Sequence, residues 1–223
     1  MHPTAMTHGG LFFQTYATRI PSAVVVDIGA QDVNGSLKEV CPSNCKYIGV
    51  DFVAAKGVDI VLQDPYELPF EDGSVDIVVS SSCFEHSEMF WLLFLEILRI
   101  LKPNGLFYLN VPSNGSFHRF PVDCWRFYPD SGNALVVWAK HNNYSSVLLE
   151  SFTGRQSMTG NASLDQWNDY IAIFLRESAA ISEFPDRIIH HFRDIDNGYL
   201  HGSDGFVNGQ QHPEDKRKPS QLV

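Results

Sequence analysis

Residues 24–36 read VVVDIGAQDVNGS, and this stretch decides the fold. The β-branched run at residues 23–28 is typical of a strand that is buried on both faces of a parallel sheet. Gly29 follows directly, and a glycine at that point lets a ligand approach the backbone closely. A short helix is expected from about Ser36, ended by Pro42, and its first N–H groups would face the same ligand. The stretch therefore predicts a buried strand followed by a ligand-binding turn.

Short apolar runs continue to alternate with helical stretches along the chain. Such alternation is typical of an α/β fold with a doubly wound, mostly parallel, Rossmann-like sheet, whose ligands bind beyond the carboxyl ends of the strands. Two late strands are expected to form an antiparallel pair. The predicted strands are 46–51, 58–62, 75–80, 106–111, 147–152 and 170–175, and the predicted helices are 87–101 and 129–140.

Length and composition indicate one domain with a full core, since 44% of the 223 residues are hydrophobic. We expect this domain to cover residues 1–201, with its core at 20–176 and a flexible tail at 202–223. The net charge of −10 disfavours nucleic acids and anionic membrane surfaces as partners. No apolar run approaches the ~20 residues that span a bilayer, and no secretory signal is visible. A cytoplasmic protein is expected.

The cysteines give little evidence for a metal site. Cys41 and Cys45 form a single C-x3-C pair without a second pair or suitably spaced histidines, so no metal is expected and the four cysteines fit a reduced chain. The helix at 87–101 is apolar on nearly every side. It should therefore be covered by a cap segment or by a partner subunit, and a homodimer would provide the latter.

Carboxylates follow the first three predicted strands. Asp51 could accept hydrogen bonds from both hydroxyls of a ribose, with Phe52 packing against a base. Asp64 could accept from the exocyclic amine of an adenine, and Pro65 would rigidify that loop. Each position also has a structural interpretation, since Asp27 could cap the first turn and Asp64 could be a turn residue before proline. Taken together, the three carboxylates favour a ligand that contains a nucleoside.

The motifs VVVDIGAQDVNGS, YIGVDF, LQDPYELPF, VDIVVSSSCFEHS and LRILKPNGLFYLNVPSNG resemble the small bacterial-type domain of class I S-adenosylmethionine-dependent methyltransferases. The resemblance covers residues 20–175 and implies S-adenosylmethionine as the cofactor, with its methionine part near the first turn. Gln31 and Val33 depart from the D-x-G-x-G-x-G pattern of that family, although Gly35 and its neighbour tolerate a tight turn. The predicted cofactor-binding residues are Asp27, Gly29, Ala30, Asp51, Phe52, Asp64, Pro65 and Ser81.

The fifth junction, residues 112–129, is a loop rich in aromatic and hydrogen-bonding side chains, as an acceptor pocket requires. His118 is the candidate general base, because an unperturbed imidazole titrates near pH 6.5. His86, after the fourth strand, is the second candidate, or it caps a helix start. Alternatively, the loop is structural, with Asp123 paired to an arginine. The predicted acceptor-binding residues are Arg119, Trp125, Arg126 and Tyr128.

The sequence thus predicts an enzyme that transfers a methyl group to an oxygen or nitrogen of a small polar acceptor, with sugars and sugar phosphates among the candidates. Two rivals stay open. A nicotinamide-dependent oxidoreductase would share the sheet and Asp51, although the G-x-G-x-x-G fingerprint is absent. A non-catalytic module of the same fold would use the cofactor or the aromatic loop for binding alone.

Overall fold

A computed structural model describes residues 3–155 and 167–209. The described strands form one eight-stranded sheet with the order β3-β2-β1-β4-β5-β7-β6-β8. The first five strands run parallel and the last three are antiparallel to their neighbours. The strands are β1 (Val24–Ile28), β2 (Lys46–Asp51), β3 (Ile60–Val61), β4 (Val75–Ser81), β5 (Leu101–Pro112), β6 (Val147–Gly154), β7 (Asp169–Leu175) and β8 (Ile195–Leu200).

The predicted fold class is confirmed, including the late antiparallel pair β6 and β7. β1 lies at the centre of the parallel part, between β2 and β4, which explains its uninterrupted apolar run. Because β1 to β5 are parallel, their carboxyl ends meet at one edge of the sheet. Asp51, Ser81 and Pro112 end their strands at this edge.

Helices cover both faces of the sheet. One apolar cluster includes side chains of α2 (Phe90–Ile100) and α3 (Ser131–His141), and the other includes side chains of α1 (Pro3–Thr15) and α4 (Ile188–His191). Trp138 on α3 donates its indole N–H to the carbonyl of Trp91 at 3.1 Å. This contact places α3 over α2, so a helix of the same chain covers part of the strongly apolar α2.

The region around α2 and β5 differs from the prediction. Phe84–His86 form a 3-10 turn, and α2 begins at Phe90, three residues after the predicted helix start at 87. β5 begins at Leu101, which pairs with Val75, so residues 101–105 belong to the strand that was predicted to begin at 106. Pairing is irregular there and resumes at Leu106, because the ladder shifts register between these points.

Five further segments were predicted differently or missed. The helix expected at Ser36 is a single 3-10 turn, Leu37–Glu39, with the Ser36 hydroxyl accepting from the Lys38 N–H at 3.2 Å. α3 begins two residues later than the predicted 129. α1 and β8 were not predicted at all. Val207, in the stretch assigned to the tail, bridges Gly198 with hydrogen bonds of 2.7 and 2.8 Å, while residues 210–223 of that tail lie outside the described residues.

No helix within residues 3–155 and 167–209 combines the length and hydrophobicity that crossing a membrane would require.

Candidate active site

A cleft of about 710 Å³ opens at the carboxyl edge of the parallel strands. This volume is in the range of sites that hold a small molecule or cofactor. Its lining divides into two halves. The first half includes Gly29, Gln31, Val33, Asp51, Phe52, Pro65 and Ser81, and the second includes Glu85, His86, His118, Phe120, Trp167 and Asp169.

The turn after β1 forms the floor of the first half. Gly29 has φ +80°, and its N–H donates to the Val50 carbonyl at 3.0 Å. The turn continues with Gln31 and Val33 at the positions where the usual pattern has glycines. A hydrogen bond from the N–H of Gly35 to Asp32 Oδ1, at 2.9 Å, closes it. Gln31, at a position where glycine is commonest, lines the cleft. Gln31 and Val33 therefore give the loop side chains where glycines are usual, and the loop still borders the cleft.

Asp51 and Phe52 lie at the wall formed by β2. Asp51 is 8% exposed, and its Oδ1 accepts from the Val53 N–H at 3.2 Å. Phe52 is 50% exposed and offers an apolar surface. Pro65 borders the same half, whereas Asp64 is exposed and is not part of the lining. Asp64 Oδ1 accepts from the Tyr66 N–H at 2.8 Å, which is the turn role that the sequence left open.

Asp27 and Ala30 are buried and are absent from the lining of the cleft. The Asp27 carboxyl accepts a hydrogen bond from the Tyr47 hydroxyl at 2.7 Å. Burial raises the pKa of Asp27 to about 7, against the lowering effect of the Tyr47 hydrogen bond, and the nearby Asp51 raises it further.

The first half fits the cofactor that the resemblance implies. Gly29 brings backbone to the surface of the cleft, and Asp51 supplies a carboxylate at the end of β2. Ser81 borders the cleft with a buried hydroxyl oxygen that has no hydrogen-bond partner. Phe52 supplies an apolar face beside these polar groups. A nucleoside with a polar amino-acid tail matches this donor and acceptor set.

Two imidazoles and a carboxylate meet in the second half. Three potential ligand atoms lie within 4.8 Å of one another, one each from Glu85, His86 and His118. The rings of His86 and His118 pack edge to face with centroids 5.0 Å apart. The sequence analysis selected both histidines but not Glu85, and it could not place His118 beside His86 because 31 residues lie between them.

Glu85 is the most buried member, with 1% exposure. Its Oε1 lies 3.7 Å from His86 Nε2, and its Oε2 has no hydrogen-bond partner among residues 3–155 and 167–209. Burial raises the pKa of Glu85 to about 8. Its backbone carbonyl also anchors the acceptor loop by accepting from the N–H groups of Cys124 at 2.8 Å and Trp125 at 3.2 Å.

Asp123 holds the acceptor loop in shape. Arg126 donates two parallel hydrogen bonds to its carboxylate, at 2.6 and 2.9 Å, and the His118 N–H donates a third at 2.7 Å. The Arg126 guanidinium keeps the pKa of Asp123 at about 2, below its usual range. This pair corresponds to the structural alternative for the loop, and it fixes the backbone of His118.

The other predicted acceptor residues are absent from the lining of the main cleft. Arg119 is exposed and donates to the Pro121 carbonyl at 3.2 Å. Trp125 donates its indole N–H to the Ser87 carbonyl at 2.9 Å and, with Arg126, borders a separate cavity of about 390 Å³. Tyr128 is 46% exposed and lines neither cavity.

Asp169 is a lining residue that the sequence analysis did not select. It is the first residue of β7, is 5% exposed, and accepts from the Thr4 hydroxyl at 2.8 Å. Burial raises its pKa to about 6. Because β7 is antiparallel to β5, the amino end of β7 lies at the same edge as the carboxyl end of β5. A sequence search for Asp169 would therefore have to include the residues just before the predicted strand 170–175.

Comparison with known proteins gives a consistent family. Residues 9–109 match the family model described as a methyltransferase domain. An uncharacterized methyltransferase of Mycobacterium avium is 31% identical over 141 residues, which cover 60% of this chain and 52% of that protein. This chain therefore aligns with about half the length of that curated relative.

Solved structures agree on the fold. The 1,6-didemethyltoxoflavin-N1-methyltransferase of Burkholderia thailandensis, crystallised with 1,6-didemethyltoxoflavin and S-adenosylhomocysteine, aligns with a TM-score of 0.55 at 15% identity over 78% of this chain and 79% of its own. A putative sarcosine dimethylglycine methyltransferase from Galdieria sulphuraria aligns with a TM-score of 0.57 at 14% identity over 78% and 86% of the two chains.

Proposed function

We propose that this chain is a class I S-adenosylmethionine-dependent methyltransferase and that it transfers a methyl group from this cofactor to an oxygen or nitrogen of a small polar acceptor. The observation that carries the proposal is the continuity of the cleft. The end that suits a nucleoside, at Asp51, and the end that holds two imidazoles, at His118, belong to one cavity of about 710 Å³.

The first half of the cleft would hold the cofactor. We assign the ribose to Asp51, an apolar wall to Phe52 and Pro65, and close backbone contact to Gly29. When bound, S-adenosylmethionine supplies a methyl group on a positively charged sulfur, which makes that carbon strongly electrophilic. The protein then has to hold the acceptor in line with it, and positioning of this kind can contribute about 7–11 kcal/mol to catalysis.

Activation of the acceptor is assigned to His118, with His86 behind it. Both imidazoles line the cleft, and each has its Nδ1 within hydrogen-bonding distance of a backbone carbonyl, Val122 at 2.5 Å for His86 and Ser116 at 3.2 Å for His118. When Nδ1 donates, Nε2 carries the lone pair. Two such nitrogens at the acceptor end are suited to assist the loss of a proton from a hydroxyl or an amine.

The charges of this half favour an acceptor that donates hydrogen bonds. Glu85 and Asp169 line it with carboxyl groups, and Arg126 is already paired with Asp123. A sugar, with several hydroxyl donors, suits such a lining. A sugar phosphate would need a free cation, and Arg119, the other arginine of the loop, is exposed and does not line the cleft.

Calorimetric titration with S-adenosylhomocysteine, with NADH in a parallel cell, tests the cofactor. Micromolar binding of the first and none of the second is expected, and binding of NADH alone would support the oxidoreductase rival. His118→Ala should then bind S-adenosylhomocysteine normally and lose most of its turnover with an acceptor identified by screening sugars. Full turnover in that variant would remove His118 from the mechanism, and cofactor binding without any turnover would support the non-catalytic module.

A further inference from the structure

We infer that Glu85, His86 and His118 bind a divalent transition-metal ion at the acceptor end of the cleft. The role of this ion rests on the proposed function, because the ion would hold the acceptor that receives the methyl group. The binding site itself rests on the three side chains and can be tested separately.

The three side chains are close to the arrangement that an ion needs. Their ligand atoms lie within 4.8 Å of one another. Ligands at about 2.0–2.2 Å from a four-coordinate ion lie roughly 3.3 Å apart, so the group has to contract by about 1.5 Å. His118 is half-exposed on a loop, and rotation of its side chain can supply most of this movement.

The histidines present suitable lone pairs. Nδ1 of His86 is 2.5 Å from the Val122 carbonyl, and Nδ1 of His118 is 3.2 Å from the Ser116 carbonyl. A neutral imidazole that donates from Nδ1 has its lone pair on Nε2. Donation of the other ring N–H to a backbone carbonyl is the usual way in which metal-binding histidines are oriented.

Glu85 gives an independent indication that a ligand is bound here. Its Oε2 is buried and has no hydrogen-bond partner, while Oε1 lies 3.7 Å from His86 Nε2. Leaving a buried carboxyl oxygen unsatisfied is costly. A cation bound between the carboxylate and the two Nε2 atoms would satisfy it.

The surrounding charge also favours a cation. Asp169 lines the same half of the cleft, and the Asp123 carboxylate accepts the backbone N–H of His118 at 2.7 Å. Arg126 is the nearby positive group, and both of its terminal nitrogens bind the Asp123 carboxylate. The charges of the arginine and that aspartate offset one another, so the carboxyl groups of Glu85 and Asp169 are the groups left to bind a cation in this half.

The ligand types select the class of metal. Two imidazoles and one carboxylate suit zinc, manganese, iron(II) or cobalt, whereas magnesium and calcium prefer oxygen ligands. Three protein ligands leave coordination positions open for an acceptor. With both Nε2 lone pairs on the ion, the histidines would act as ligands and not as bases, and the ion would make a bound hydroxyl more acidic. Its oxygen would form the new bond to the methyl carbon, the electron pair of the broken sulfur–carbon bond would stay on sulfur, and the hydroxyl proton would pass to solvent.

Metal titration of the purified full chain tests this inference. After dialysis against a chelator, the protein is titrated with Zn²⁺ by calorimetry and with Co²⁺ by visible absorption, with Mg²⁺ as the comparison. Glu85→Gln and His118→Gln remove ligands with little change in volume. His190→Gln, which changes an exposed histidine on α4, is the matched control for adventitious binding by surface imidazoles.

One Zn²⁺ per chain is expected, with affinity at least about tenfold weaker in either ligand variant and unchanged in the control. Absence of Zn²⁺ and Co²⁺ binding, or binding that survives both ligand variants, would overturn the inference. S-adenosylhomocysteine is titrated into the same samples. If it binds while no metal does, the metal site fails and the proposed function stands; if it does not bind, the proposed function fails on its own account.

Discussion

Gly29 and Cys83 lie against each other beneath the cleft, so closely that a Cβ atom added to Gly29 would be 2.6 Å from the Cβ of Cys83 and 2.8 Å from its sulfur. The two residues belong to the turns that follow β1 and β4. A glycine is therefore required here for two separate reasons, the positive φ and the proximity of the neighbouring turn.

A comparison of Gly29→Ala with Gly202→Ala distinguishes the cost of the positive φ from the cost of crowding against Cys83. Both glycines have φ +80°, but a Cβ at Gly202 would have nothing within 4 Å. Each variant should lose about 1–2 kcal/mol of unfolding free energy from the left-handed backbone. Gly29→Ala should lose more and should also weaken S-adenosylhomocysteine binding. Urea unfolding and calorimetry measure both quantities, and equal losses with intact binding would contradict the crowding argument.

Asp51→Ala should weaken S-adenosylhomocysteine binding by about 10- to 100-fold. A hydrogen-bonded carboxylate contributes roughly 1.5–3 kcal/mol, and each 1.4 kcal/mol is a factor of ten in affinity. Asp72→Ala is the control, because Asp72 has an 80% exposed side chain, pairs with Arg99, and neither residue lines the cleft. Unchanged calorimetric affinity in the Asp51 variant would mean that another residue binds the ribose.

Asp27→Asn should change how stability depends on pH. The pKa of Asp27 is raised to about 7 in the folded chain, whereas an unfolded aspartate titrates near 3.9. Between these values the folded chain keeps a proton that the unfolded chain has released, so wild-type stability falls as the pH rises. The variant does not pay this penalty. Its advantage over wild type should grow from about pH 4 to pH 7, by at most ~1.4 kcal/mol per pH unit, and then level off.

Thermal or urea unfolding at a series of pH values gives both curves. Parallel curves for wild type and Asp27→Asn would mean that the carboxyl titrates alike in the folded and unfolded chains.

Tyr16→Phe should destabilise the fold by about 1–3 kcal/mol, because it removes a buried hydrogen bond to a carboxyl group. The Tyr16 hydroxyl donates to Glu150 Oε1 at 2.5 Å, and the same carboxyl accepts from the N–H groups of Ile188 and Ile189 at 2.7 and 3.0 Å. The contact ties the segment after α1 to β6 and α4. Tyr128→Phe, at a position 46% exposed, should be nearly neutral in the same urea titration.

The parallel strands were predictable because burial on both faces leaves an uninterrupted apolar run. β2 was predicted with its observed bounds, and β1 and β4 to within one residue. Lys102 to Gly105 misled the prediction, since proline, asparagine and glycine normally end regular structure, whereas here Leu101 pairs with Val75 before the irregularity. β8 follows a short helix and joins the sheet through long-range pairing with β6, which no local pattern reveals.

The first half of the cleft was more predictable than the second. Gly29, Asp51 and Ser81 follow or end parallel strands, so their position in the sequence already places them at the ligand edge. Glu85 and Asp169 depend on the packing of distant segments. The short distance between Glu85 and the imidazoles, and the arrival of Asp169 from an antiparallel strand, arise only when the chain is folded.

The division of the cleft lining has a consequence for protein engineering. The turns after β1 to β4 form one end, while the loop at 112–129 and the start of β7 form most of the other. The loop begins and ends in backbone anchors, with the Pro112 carbonyl accepting from the Phe127 N–H at 3.0 Å. A loop closed at its base in this way can be exchanged as a cassette between relatives, which would retarget the chemistry to new molecules while the remaining scaffold is kept.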